Sequence, residues 1–187
     1  MKEVSINKQA KLSPHLASPS EAALSQTNEL DGLRLSPHFT LGELCKTSYH
    51  TSDGNIPSHV AIENLKRICG WLEILRERYN RRYGDRRQES GDSTYIPIII
   101  SSGYRSAEVN LKCGGAKGSN HLTGCAVDIK CLGPEQMIRY ACLLLDTADE
   151  NGWVFDELIQ EKRGTTYWIH FAVRPKDNRR KILFDCR

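Results

Sequence analysis

The 187-residue chain contains seven cysteines but no Cys-x-x-Cys pair, so the paired spacing of a cysteine-based zinc knuckle is missing. Long apolar runs are also absent. The longest, around Ile98-Ile99-Ile100, falls far short of the about 20 residues needed to span a bilayer. The opening MKEVSINKQAKLSPHL has no uninterrupted apolar segment, which speaks against a secretory signal. Without one, the protein is expected to be cytoplasmic as synthesised, with its thiols reduced and mostly packed as small hydrophobes. Charge of one sign is lacking too. Lysine and arginine total 26 against 23 acids, a balance too mild for a nucleic-acid binder. With 39% apolar residues, a packed core is possible and wholesale disorder is not.

Residues 1–35 show no sustained apolar periodicity and read as a flexible N-terminal leader, with the domain proper at 36–187. Thr40 followed by Glu43 has capping-box spacing and predicts a short helix to about Lys46. Ala61, Leu65, Ile68, Leu72, Leu75 and Tyr79 recur at steps of four and three. They form one stripe on a helix from about Pro57 to Tyr83, stopped at Gly84. Its far side, with Arg76, Arg78, Arg81 and Arg82, reads as a solvated basic face or a patch for an anionic polymer. The β-branched run from Tyr95 to Ile100 predicts a strand. Pro134 opens a second helix, with Met137, Ile138, Ala141, Leu144, Leu145 and Ala148 on its stripe and Asn151-Gly152 at its end. Two late strands, about 155–161 and 167–173, flank a turn at residues 162–166. Helices followed by a hairpin-rich sheet indicate an α+β domain.

Chemistry concentrates between Ser101 and Ile129. After Gly124 the chain alternates, with Cys125, Val127 and Ile129 on one face and Ala126 and Asp128 on the other. An unpaired carboxylate in such a strand is costly, so Asp128 wants a cation. His121 stands seven residues upstream, across a glycine turn. His170 is isolated in the apolar strand Tyr167-Trp168-Ile169-His170-Phe171-Ala172-Val173. Two imidazoles and a carboxylate leave a fourth position for water, the arrangement of a catalytic zinc site.

These phrases carry a resemblance. SSGYRS, GG, SNHLTGCAVD and WIHF resemble the zinc D-Ala-D-Ala carboxypeptidases and peptidoglycan endopeptidases, whose motif is S-x-H-x-x-G-x-A-x-D followed much later by W-x-H. Ser119, His121, Gly124, Ala126, Asp128, Trp168 and His170 match it. The upstream phrase from Phe39 to Leu44 is similar to the start of that domain, so the likeness spans about residues 36–175. It implies an antiparallel sheet with helices packed outside it, the Hedgehog/D,D-peptidase fold, and Zn2+ held by His121, Asp128 and His170. It also implies that Arg105 contacts substrate or the developing oxyanion. Ser119 and Tyr104 are further substrate-binding candidates, Ser119 expected to fix loop geometry or donate a hydrogen bond near the metal and Tyr104 to pack rather than react.

Many family members carry the catalytic acid three residues before the second histidine, where this chain has Tyr167. Across the late hairpin Glu161 lies opposite Tyr167 or Trp168 and is the expected base, with Asp156 and Glu157 as alternatives. The resulting expectation is a monomeric zinc metallopeptidase acting on peptidoglycan peptides next to D-alanine, reaching the wall after release or non-classical export. The rival is a zinc-containing wall-binding or phage-assembly module without turnover, which the Tyr167 substitution favours.

Overall fold

The computed structural model describes residues 32–84 and 95–186. Most of the expected leader lies outside these residues. Its last part does not. Leu33 accepts a hydrogen bond from the Leu41 backbone at 2.8 Å, Arg34 bridges to Thr40, and Leu35 packs against the core. Packed structure therefore begins before residue 36.

Helix α1 (Leu41–Cys45) opens with the expected capping box, Thr40 and Glu43 satisfying each other's backbone N–H groups. Helix α2 (His59–Tyr83) is capped by Ser58 and ends at Gly84. Every residue of its apolar stripe is buried. On its far side Arg78 pairs with Glu150, Arg81 with Glu77, and Arg76 lies over the Tyr95 ring. That basic face is engaged within the chain. Strand β1 (Ile100–Ser102) is shorter and later than the expected Tyr95–Ile100 strand. Pro97 has no N–H for a ladder, and the Asn80 side chain takes both backbone groups of Ile96, at 2.6 and 2.9 Å.

Helix α3 (Ala107–Lys112) and a 3-10 turn (Asn120–Thr123) lead to β2 (Ala126–Cys131). Helix α4 (Pro134–Asn151) follows with Met137, Ala141, Leu144 and Ala148 buried, while Ile138 faces solvent. Strands β3 (Glu157–Arg163) and β4 (Thr166–Ala172) form the hairpin. Its turn is only Gly164-Thr165, which pairs Arg163 with Thr166 and sets Glu161 opposite Trp168. A final strand, β5 (Lys181–Cys186), was not expected. The sheet order is β1-β2-β4-β3-β5, antiparallel throughout except that β5 runs parallel to β3.

The fold is thus α+β, with two unlike faces to its sheet. Val127, Ile129, Leu158, Ile169 and Phe171 point into one core with Leu65, Ile68, Leu72 and Leu75 of α2 and Met137 and Leu144 of α4. Period-two alternation sends Asp128, His170, Glu157 and Glu161 to the other face, where, among the described residues, no long helix covers them and a cavity opens. Among the described residues, no helix is long and apolar enough to cross a membrane.

Candidate metal centre

Three elements bring the chemistry together. Asp128 on β2 and His170 on β4 are direct cross-strand partners. His121 arrives on the 3-10 turn, its backbone N–H donating to the Ser119 hydroxyl at 3.4 Å. Gly124 ends that turn at φ 69°, and a Cβ there would lie 2.5 Å from the Ala61 carbonyl oxygen on α2. Only glycine fits both the left-handed backbone and the close approach. The turn is thereby pressed against α2, with the Asn64 amide donating to Thr123 at 2.9 Å.

His121 Nε2 lies 3.2 Å from Asp128 Oδ1 and 3.2 Å from His170 Nδ1, and the remaining edge, His170 Nδ1 to Asp128 Oδ1, is 3.1 Å. A tetrahedral ion with ligand bonds of about 2.0–2.1 Å holds its donor atoms about 3.3 Å apart. The triangle matches that spacing. The outer contacts decide which ring nitrogens carry protons. His121 Nδ1 sits 2.6 Å from the Gly103 carbonyl oxygen, so it donates there and leaves Nε2 as a lone pair. His170 Nε2 faces Glu157 Oε2 at 3.5 Å, which places its proton outward and the Nδ1 lone pair inward. Three electron-rich atoms then converge in a nearly dry place, His121 being 2% exposed, Asp128 8% and His170 9%. Such a set repels itself unless a cation joins it. The donor set and spacing fit zinc.

Electrostatics agree. Burial alone would raise the Asp128 carboxyl, but His121 and His170 outweigh it and hold it well below the usual carboxylate range. Burial would lower His170, yet Asp128 and Glu157 lift it to about 9. In the absence of a metal ion the pocket therefore attracts a proton; zinc would have to displace it.

The surrounding residues divide into those that aim the donors and those that face the cavity. Arg105 hydrogen-bonds Asp128 Oδ2 and, through Nε, the Ser102 hydroxyl at 2.7 Å. It fixes the carboxylate so that Oδ1 points at the histidines. Ser119 and Arg105 both line the cavity, of about 550 Å³. Tyr104 does not; it is half-buried and packs against the core. Tyr167 sits across from Lys162 on the core side of the sheet, so an acid at that position would not face the donors.

Glu161 shares the cavity face with His170, two register pairs further along. Burial, then the Asp128 charge, raise its carboxyl above the ordinary value, against a hydrogen bond from Trp168. The two alternative acids are already committed. Asp156 is fully buried and held by Arg179, whose Nε and Nη2 lie 2.8 and 2.7 Å from its two oxygens, and by the Asn120 amide at 2.8 Å. Burial pushes it up, but these donors bring it down to about 2. Glu157 is lowered to about 2 by His170 first, then Arg179 and Lys181. Asn120, Arg179 and the Gly103 carbonyl were missed in the sequence, and Trp168 was singled out only as a motif position. A buried acid at Asp156 would have pointed to a cationic partner, had its burial been legible.

A search of curated proteins finds no match. The family model for peptidase M15 matches residues 37–154. That span is more than half the chain and includes His121 and Asp128, and the sheet adds His170 beyond its end. The three-donor centre and the matched segment agree: the chain belongs to the peptidase M15 family of metallopeptidases.

Proposed function

We propose that this protein is a zinc peptidase that hydrolyses a peptide bond next to D-alanine in bacterial peptidoglycan stem peptides or cross-links. The observation carrying the reading is the convergence of three lone-pair donors on a cavity that also holds a raised carboxyl, Glu161. His121, Asp128 and His170 would hold the ion, and Arg105 would keep Asp128 aimed. A zinc ion there supplies Lewis-acid polarisation of a carbonyl oxygen and acidification of water.

The protein's own groups do the rest. Glu161, in its ionised form, takes the proton of the attacking water and returns it to the leaving amine. Trp168 fixes the carboxylate by its hydrogen bond. Arg105 adds positive charge beside the developing oxyanion. Arg163 and Arg179 line the same cavity, which suits short peptides bearing carboxylates. Action at the wall would follow release or export of the protein from the cytoplasm.

The test is incubation of the zinc-loaded protein with purified peptidoglycan and defined muropeptides, with products read by mass spectrometry. Loss of terminal D-alanine, or a split cross-link, is expected and should vanish with chelator. Glu161→Gln should retain zinc and fold but lose roughly 10²- to 10⁴-fold in rate, the usual worth of a positioned acid–base group. In the metal-free protein the Glu161 carboxyl should titrate above the ordinary glutamate value, as read by NMR, and adding zinc should bring it down. Binding to sacculi with no product from the zinc-loaded protein would make it a wall-binding module instead.

A further inference from the structure

β5 is the outermost strand of the sheet. β3 occupies one of its edges, and among the described residues no strand pairs with the other. Its apolar side chains are not covered: Ile182, Leu183 and Phe184 are 47%, 43% and 61% exposed. An exposed apolar edge is a template for further pairing, which natural proteins usually blunt with charge, proline or a bulge. The centre of β5 has none of these, and its register with β3 is unbroken.

We propose that two copies of this chain pair antiparallel through β5, joining two five-stranded sheets into one, in place of the monomer expected from the sequence. The order of side chains selects the partner. About a two-fold axis at Leu183, Lys181 faces Asp185 of the partner subunit, Ile182 faces Phe184 of the partner subunit, and Leu183 faces Leu183 of the partner subunit. Charge meets opposite charge and apolar meets apolar, always on a shared face, as a self-complementary two-fold contact requires. A slip of one residue ruins this, setting Ile182 against the partner's Asp185 or Lys181 against the partner's Phe184. Lys181 also lies 3.4 Å from Glu157 on β3. Pairing would place it between two acids, Glu157 and the partner's Asp185. Asp185 neighbours Glu161 in the β3–β5 register, so the second copy would stand at the rim of the cavity. Each copy contributes one strand, less than the about 1,600 Å² of a standard interface. The association is accordingly reversible and concentration-dependent.

Sedimentation velocity of the full chain over a concentration series tests this without measuring hydrolysis, so it stands apart from the proposed function. The wild type should move from 21.2 kDa towards twice that mass. Leu183→Lys, which opposes two ammonium groups at the axis, should stay monomeric at every concentration while keeping its circular dichroism. Lys181→Glu should weaken the dimer, and Lys181→Glu with Asp185→Lys should restore it. Should Leu183→Lys lose its fold, Leu183→Cys decides: mild oxidation is expected to give a disulfide-linked dimer that the wild type does not form. A wild type of single-chain mass at its highest soluble concentration overturns the proposal. So does a dimer unaffected by folded Leu183→Lys, a charge swap that restores nothing, or Leu183→Cys that does not cross-link.

Discussion

A carboxylate with no solvent exposure needs donors on every side, and Asp156 has the Arg179 guanidinium on both oxygens, the Arg179 backbone N–H at 3.2 Å and the Asn120 amide. It anchors the loop that follows β4 to the start of β3, beside but not in the cavity. Its pKa of about 2 lies below the unfolded value, so it stabilises the fold above roughly pH 4, and that contribution is lost as pH falls towards 2. Asp156→Asn is expected to cost roughly 1–3 kcal/mol at neutral pH, the penalty for partly unsatisfied buried donors. Its acid-unfolding curve should be shallower than the wild type's, as read by circular dichroism against pH. Glu161 has the opposite character. A carboxyl raised by burial opposes folding once ionised, so the same group that serves a reaction weakens the fold. His121, Asp128 and His170 were legible because each is a polar residue isolated in an apolar strand or at a glycine turn. Asn120 and Arg179 were not, since their meaning depends on the burial of Asp156, which sits just before a strand where alternation gives no signal.

At the scale of elements, the hairpin and the 3-10 turn position the site. The β3–β4 turn is two residues long, so Glu161 meets Trp168 and not Tyr167. The one-residue difference matters because a single step sends a side chain to the other face of the sheet. Tyr167 is on the core side, and Glu161 shares the face of His170. The expected strand at Tyr95–Ile100 failed for a local reason: Asn80 outcompetes a neighbouring strand for Ile96. β5 was illegible because a parallel partner is chosen by tertiary packing, and no local pattern in Lys181–Cys186 announces it. The 3-10 turn gives the sharpest test of element placement. Gly124→Ala would force a Cβ against the Ala61 carbonyl in a left-handed backbone. It should lower stability by at least about 1 kcal/mol in thermal unfolding, and weaken metal binding by moving His121.

For the whole molecule, one sheet separates two tasks: a core on the helix side and polar chemistry on the other. The α2 and α4 stripes that build the core were readable as periodicity, so the fold class followed from the sequence. Leu33, Arg34 and Leu35 make contacts within the domain. We propose that the preceding leader is dispensable. A chain beginning at Gly32 should keep the melting temperature and metal content of the full protein, whereas one beginning at Ser36 should melt lower. Equal melting of all three would show that those contacts add nothing.

The account rests on the cation at the centre of His121, Asp128 and His170. Its most direct test is zinc titration of the metal-free protein by calorimetry, with elemental analysis of the product. One zinc per chain is expected for the wild type and for Glu161→Gln, with little or none for His121→Ala or His170→Ala of preserved fold. Full zinc occupancy in either folded histidine variant, or none in the wild type, would contradict it.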